Sequence, residues 1–255
     1  MVTDLQKATL GKRLIASIFD GILLSILAVG LAALLALAFG YDKHFATVEN
    51  AKAKYEAEYG VELMITEEEY EKLDEAKKQS FDAASKALNE DRAVVYAYNM
   101  LINLSVLITT FSILISVVLI EFVVPLLFGN GQTVGKKIFG IALMRSDGVK
   151  VSALQLFTRA VLGKFAIEIM IPLFVAVMIF FGVMGVSGIF VLFIIAVAEI
   201  VCMAVSRTNS LLHDLIAVTV AVDLASQRIF ESSEKLLEYK KALHAESVDR
   251  AKYTK

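Results

Sequence analysis

The chain has 255 residues, of which 57% are hydrophobic, and its mean hydropathy is +0.67. This composition excludes an ordinary soluble domain of the same length and favours an integral membrane protein. The net charge of −2 does not indicate a nucleic-acid partner, and we expect none. The single cysteine, Cys202, excludes an intramolecular disulfide.

Hydropathy predicts four transmembrane helices in chain order. The first apolar stretch, residues 14–39, exceeds the ~20 residues that span a bilayer core and is too long for a cleavable signal peptide. The second covers residues 94–128. The third, residues 165–205, is too long for one span, and the glycines of residues 182–188 predict a tight turn that divides it. We therefore predict an all-α membrane protein with four transmembrane helices.

The distribution of Lys and Arg predicts the orientation. Residues 129–159 form a basic loop, and Lys7, Lys12 and Arg13 precede the first span. Residues 41–92 contain eight basic and fourteen acidic residues. By the positive-inside rule, both termini and the basic loop are cytoplasmic, and residues 41–92 are extracytoplasmic. We expect a multi-pass protein of the cell membrane, either a bacterial inner membrane or a plasma membrane.

The organisation that follows has four parts: the N-terminus with the first span (1–40), an extracytoplasmic insertion (41–92), the rest of the membrane domain (93–222) and a cytoplasmic helical tail (223–255). In the insertion, Gly60 predicts the end of one helix over roughly residues 48–59. Thr66 and Glu69 form a capping box that opens another, and no Gly or Pro interrupts it before Arg92. A helical hairpin results, either a solvated spacer or a module that docks a protein partner.

The basic loop has predicted structure of its own. Residues 138–144 favour a strand, Asp147-Gly148 a turn, and residues 149–151 a returning strand. Ser152 and Gln155 form a second capping box, which opens an amphipathic helix at the inner membrane surface. The glycine-rich residues 131–137 are only superficially similar to a phosphate-binding loop, because the glycine spacing is too short.

Each predicted span contains one acidic residue: Asp20, Glu121, Glu168 and Glu199. An ionisable group at the centre of a span costs about 2.5–3.5 kcal/mol, so it persists where it has a partner or a function. Counted from the predicted cytoplasmic ends at ~1.5 Å per residue, all four lie about 9–11 Å inward. Such a ring predicts a site for a cation or a proton, although the metal is unknown.

The groups predicted to support this site are Arg13, Ser17, Asn103, Arg159, Lys164, His213 and Asp214. The alternative is that the acids are paired structurally. Arg13 lies two helical turns from Asp20, and Lys164 lies one turn from Glu168, so ion pairs within single helices would explain both acids. His213 with Asp214 is either a proton entry pair or a loop cap.

Three motifs resemble the RDD family, which is named for one Arg and two Asp residues. They are Arg13-Leu-Ile-Ala-Ser-Ile-Phe-Asp20, Gly131-Gln-Thr-Val-Gly135-Lys136 and Leu212-His213-Asp214 with Thr219. The resemblance covers residues 10–40 and 95–222 and implies a shared fold and topology. It implies Asp214 as the second family Asp, with Asp147 as the alternative. Val218 stands where the family pattern has Gly, and the long insertion is not a general family feature.

Two classes of function remain open. The first is a small cation or proton transporter, functioning as a homo-oligomer, because four spans offer little room for a private pathway. The second is a non-transporting scaffold or accessory subunit that docks a partner through the insertion and the tail. An enzyme is not expected, because no nucleophile–base pair or histidine cluster is present, and no cofactor is expected.

Overall fold

The computed structural model describes residues 5–253, so the first four residues of the predicted N-terminal part and the last two of the tail lie outside it. Within the described chain, four helices are long and apolar enough to cross a membrane: Leu10–Ala38, Arg92–Phe128, Ala153–Phe180 and Gly185–Val205. The mostly helical fold and the four candidate spans confirm the predicted class of membrane protein. The chain divides into two compact units, the hairpin unit (residues 29–112) and the core unit (the rest).

The hairpin unit takes the end of α1 (Leu10–Ala38) and the start of α5 (Arg92–Val117). Between them lie α2 (Tyr41–Tyr59), α3 (Glu67–Glu71) and α4 (Glu75–Glu90). Gly60 ends α2 in a left-handed conformation, and the Thr66–Glu69 capping box is present, as predicted. Helix α2 packs against α4, which makes the predicted hairpin.

The predicted unbroken helix from Thr66 to the second span is wrong. Helix α3 ends at Glu71, and Asp74 begins the separate helix α4 by accepting a hydrogen bond from Lys77 N at 2.8 Å. Asp91 interrupts the helix again, between α4 and α5, and its side chain accepts a hydrogen bond from Ala93 N at 2.9 Å. Both breaks arise because a short carboxylate can satisfy free backbone amides and so competes with helix continuation.

The core unit contains the beginning of α1, the end of α5 and all later elements. Two segments have wide π-helical turns, π1 and π2, and each lies inside a candidate span. The elements are π1 (Val118–Val123), α6 (Val124–Phe128), α7 (Val134–Ile138), β1 (Ile141–Arg145), α8 (Ala153–Phe157), π2 (Thr158–Met170), α9 (Ile171–Phe180), α10 (Gly185–Val205), α11 (Leu212–Ile216), β2 (Thr219–Asp223) and α12 (Ser233–Tyr253).

A small two-stranded sheet lies in the core unit, in addition to the predicted helices. Strand β1 confirms a strand near residues 138–144, but its antiparallel partner is β2, with Leu143 opposite Ala221. The predicted turn at Asp147-Gly148 is present and Lys150 bridges Met144 antiparallel, but residues 149–151 form no full second strand, so the predicted local hairpin is confirmed only in part. The more distant segment pairs because its alternating Val220-Ala221-Val222 side chains are almost fully buried.

The Ser152–Gln155 capping box is present, but the helix that it opens does not stop at a surface element. It continues from α8 through π2 into α9, so one helix runs from Ala153 to Phe180. Arg159 therefore lies inside the third candidate span rather than at the end of a loop. The predicted turn between the third and fourth spans is confirmed, with Gly182 and Gly185 both at positive φ.

Val218 occupies a conformation that suits glycine. It joins α11 to β2 with φ 55°, and its residue surface is 57% exposed. A β-branched residue at left-handed φ costs roughly 1–3 kcal/mol, and this side chain has little packing to lose. We expect Val218→Gly to stabilise the protein by about 1 kcal/mol after the added chain entropy of glycine. Thermal unfolding of detergent-solubilised protein measures it, and an equal gain for Val218→Ala would contradict the backbone explanation.

Candidate functional site

Ten ionisable side chains from separate elements meet inside the core unit. We call them the charge network: Arg13, Asp20, Glu121, Lys136, Arg159, Lys164, Glu168, Glu199, His213 and Asp214. Several lie on π1 or π2, whose wide turns are frequent at functional sites. Because buried charges are costly unless they are paired, the pairing pattern decides which members are free to bind or titrate.

Arg159 is the centre of the network, and its side chain is only 2% exposed. Its Nε donates to Asp214 Oδ1 at 2.8 Å, and its Nη1 donates to Glu121 Oε2 at 3.0 Å. Its Nη2 lies 2.8 Å from His213 Nε2. One guanidinium therefore connects π1, π2 and α11, which lie far apart in sequence.

The contact with Arg159 fixes the protonation of His213. A guanidinium can only donate, so His213 Nε2 must accept and carries no proton. The proton of the neutral ring is then on Nδ1, which donates to Glu168 Oε1 at 2.6 Å, and the backbone amide of His213 donates to the same oxygen at 3.1 Å. Burial and the adjacent Arg159 charge lower the pKa of His213, in agreement with a neutral ring.

Glu121 is surrounded by cations. Besides Arg159, it accepts a hydrogen bond from Lys164 Nζ, and Lys136 Nζ lies 3.7 Å from its Oε2. Both of its oxygens are therefore occupied by ion pairs from π2 and α7. Each oxygen of Glu121 thus already accepts a hydrogen bond from a resident cationic side chain, which competes with any exchangeable cation.

Asp214 pairs with two arginines. Arg13 Nη2 lies 3.1 Å from Asp214 Oδ2, and Arg13 also donates to the backbone carbonyl of Asn209. Thr219 Oγ1 donates to Asp214 Oδ1 at 3.2 Å. Burial acts to raise the pKa of Asp214, but the adjacent His213, Arg159 and Arg13 outweigh it and hold that pKa well below its usual range.

Asp20 joins α1 to the start of α7. Its Oδ1 accepts from Gly135 N at 2.7 Å, and its Oδ2 accepts from the hydroxyl of Thr133. Thr133 in turn caps α7 by accepting from Lys136 N at 3.3 Å. A Cβ on Gly135 would lie 2.4 Å from the carbonyl oxygen of Ala16, so only glycine permits this approach. The Gly-x-Thr-x-Gly-Lys motif is thus a docking site for Asp20.

Glu199 differs from the other acids. Its Oε2 accepts from Leu212 N at 3.2 Å, whereas its Oε1 is buried without a hydrogen-bond partner among the described residues. The like charge that acts most strongly on Glu199 is Glu168, with which its carboxyl also interacts as a hydrogen-bonding group. A buried carboxylate oxygen with no donor is unfavourable when ionised, but it is satisfied if it carries a proton and donates.

The structure thus brings most of the predicted site together but not as a ring. The four acids contact different partners, and within residues 5–253 no group of three or more acidic, His or Cys side chains is placed to hold a metal ion. The predicted pairing within helices is wrong: Arg13 contacts Asp214 instead of Asp20, and Lys164 contacts Glu121 as its ion-pair partner. Both Arg13 and Lys164 thus pair with a carboxylate on another helix rather than with the acid one or two turns away on their own helix.

Other predicted members have different outcomes. Asn103 belongs to the hairpin unit, and Ser17 lines a cavity next to the network. Asp147 forms a partly exposed pair with Arg145, so Asp214 is the aspartate that meets Arg13. Four further residues belong to the site but were not predicted from the sequence: Lys136, Thr133, Gly135 and Thr219. The glycine-rich motif and the Thr that follows the His-Asp pair are the sequence features that could have indicated them.

The cavity has a volume of about 380 Å³. Its lining comes from α1, α7, the sheet, π2, α10 and the region of α11. Its lining residues are Leu10, Gly11, Arg13, Leu14, Ser17, Lys136, Ile141, Arg159, Met203, Leu211, His213, Asp214 and Ala221.

The four apolar candidate spans and the buried Arg–Asp centre of the core unit define a helical membrane protein with several apolar helices. The sequence model of the RDD family matches residues 7–218, and the chain belongs to that family. This match covers Arg13, Asp20 and Asp214, the Arg and the two Asp residues whose side chains the core unit buries or partly buries. Neither the curated proteins nor the solved structures include a significant match to the chain.

Proposed function

We propose that this RDD-family protein is a proton-linked transporter of a small cation, in which Glu199, Glu168 and His213 hold the transferable proton. The observation that carries the proposal is the buried Oε1 of Glu199, which has no hydrogen-bond partner within residues 5–253 by distance and angle, and whose carboxyl interacts with Glu168 of the Glu168–His213 pair. Asp20 and Glu121 then have structural roles, because their oxygens are already occupied.

The charges of the network support a mobile proton. It contains five carboxylates but only four cationic side chains, because His213 is neutral by its contact with Arg159. One added proton balances the charges, and an uncompensated charge in a buried site is costly. Glu199 is the carboxylate with an oxygen left to receive that proton. When the proton leaves, its carboxylate offers the oxygen ligands that a small cation requires.

The topology in this proposal follows the charges of the sequence. The basic residues of 129–159 and of the N-terminus place both termini in the cytoplasm, which leaves the α2–α4 hairpin outside. The protein is then a multi-pass protein of a bacterial inner membrane or a plasma membrane. A homo-oligomer would supply the pathway that four helices do not enclose, and neither an enzymatic activity nor a cofactor is part of the proposal.

Glu199→Gln is expected to abolish proton-coupled cation flux in proteoliposomes. The amide keeps the acceptor for Leu212 N and imitates the protonated acid, so the protein folds but cannot exchange the proton. An internal pH-sensitive dye reports proton movement after a Na⁺ or K⁺ gradient is imposed. The matched control is Glu90→Gln, since Glu90 makes only an exposed pair with Lys86. Wild-type flux in Glu199→Gln would exclude this proton site.

The scaffold alternative is favoured by the internal structure of the hairpin. Tyr55 donates to Asp91 at 3.1 Å and Tyr70 donates to Asp82 at 3.0 Å, contacts that a simple spacer does not need. Deleting residues 45–90 separates the two functions. Transport predicts that flux persists without the hairpin and is lost in Glu199→Gln. Scaffolding predicts no flux in any variant and a cellular defect in the deletion alone.

A further inference from the structure

The cavity beside the charge network has apolar walls. Leu10, Leu14 and Ser17 follow each other at helical spacing on one face of α1, and all three are exposed in the core unit. Ile141 and Ala221 of the sheet and Met203 of α10 form much of the opposite side. A volume of about 380 Å³ lies within the range of cavities that bind small ligands.

One charged group in this cavity lacks a full set of partners. Lys136 is 7% exposed, and its Nζ has three donors. Within the described residues, Nζ donates to Thr133 Oγ1 at 3.3 Å, and Glu121 Oε2 lies beyond hydrogen-bond distance at 3.7 Å. Arg13 and Arg159, which also line the cavity, are by contrast committed to Asp214 and its neighbours. Lys136 therefore brings to a mostly apolar cavity a buried ammonium that makes one hydrogen bond among the described residues.

We propose that this cavity binds a membrane amphiphile with one anionic oxygen head group and a single alkyl chain. The head accepts hydrogen bonds from Lys136 Nζ, and the chain lies against Leu10, Leu14 and Met203. A free anion would leave the apolar walls without contact, whereas a lipid reaches them from α1, itself a candidate span. The cavity shares His213 with the proposed proton path, but binding of the head group at Lys136 does not depend on proton transfer at Glu199.

The charges around Lys136 indicate how binding varies with pH. Burial lowers the pKa of Lys136 to about 8, although Glu121 acts in the opposite direction. The positive charges of Arg159 and Lys164 on π2 also lower the pKa of Lys136, whereas the carboxylate of Asp20 on α1 raises it. Since a neutral amine does not hold an anion, the affinity for the amphiphile falls as pH rises through the pKa, which the bound head group itself moves upward.

Binding of radiolabelled laurate to the full chain in a non-ionic detergent tests the proposal. Laurate combines head and chain, acetate supplies the head alone, and dodecanol supplies the chain alone. We expect saturable binding of one laurate per chain, with displacement by excess unlabelled laurate but not by acetate or dodecanol at the same concentration. Equal displacement by acetate would make this a free-anion site, and equal displacement by dodecanol would make it a purely apolar one; either result overturns the proposal.

Three variants assign the contact. Lys136→Met is expected to weaken laurate binding by about tenfold or more, the value of a charged hydrogen bond. Lys136→Arg should retain binding and lose the fall near pH 8, because a guanidinium stays charged. The matched control is Lys137→Met. In the wild type the ammonium of Lys137 is exposed and lies 3.8 Å from the centre of the Phe128 ring, and Lys137 does not line the cavity. Unchanged affinity in Lys136→Met would overturn the proposal.

A fourth variant leaves Lys136 intact and fills the cavity instead. Gly11 lines the cavity, and a Cβ built there meets nothing within 4 Å. Gly11→Leu should therefore fold normally and exclude laurate by occupying the space of its chain. Full laurate binding by a folded Gly11→Leu protein would show that the amphiphile lies elsewhere.

Discussion

Arg159→Met is expected to destabilise the protein by roughly 3–5 kcal/mol, the cost of breaking a buried ion pair by removing one partner. The substitution preserves most of the side-chain volume but leaves Glu121, Asp214 and His213 without their shared donor. Arg159→Lys should restore little of the loss, because one ammonium cannot reach three acceptors on two elements, π1 and α11. Thermal unfolding in detergent, compared with wild type, measures both effects.

Arg145→Met is the matched control for Arg159→Met. Arg145 also pairs with an aspartate, at 2.7 Å from Asp147, but the two side chains are 42% and 41% exposed. Solvent screens such a pair, so the loss should stay below about 1 kcal/mol. If the two variants lost equal stability, burial of the network would not be the source of its energy.

Gly163→Ala is the second substitution with a large expected effect. A Cβ at this position would lie 2.5 Å from the Cβ of His213 and 2.7 Å from its Cα, so α11 must move away from π2. We expect a loss of about 3 kcal/mol, the upper end for overpacking, although alanine normally favours a helix. His213 would also be displaced from Arg159 and Glu168, so proton-coupled flux should fall with stability.

Gly21→Ala, which is also a glycine-to-alanine substitution within a helix, is expected to have the opposite effect on stability. Gly21 lies within α1, and a Cβ there meets nothing within 4 Å. Better helix propensity should then raise stability by up to about 1 kcal/mol. The sign difference between Gly163→Ala and Gly21→Ala is the test. A loss at both positions would mean that glycine is required for helix flexibility rather than for the approach of α11.

The positions of most helices could be predicted from the sequence because their signals are local. Long apolar stretches define the candidate spans, and the Thr66 and Ser152 capping boxes satisfy amides only three residues away. The predictions that were wrong or confirmed only in part concern segments whose residues are compatible with two conformations or two pairing partners. Asp91 could continue a helix or interrupt it, and the buried strand β1 could pair with its neighbour or with a distant segment.

By itself, the sequence determined that this is a helical membrane protein of the RDD type with acidic residues inside its spans. It did not determine which charges meet, because hydropathy and spacing leave the rotation of each helix free. The tertiary structure decided that Arg13 meets Asp214, 201 residues away, and that Lys164 meets Glu121, 43 residues away. Those pairings occupy Asp214 and Glu121, Thr133 and Gly135 occupy Asp20, and among the described residues one oxygen of Glu199 is left without a donor. The reason is that a buried charge takes whichever partner packing brings within reach.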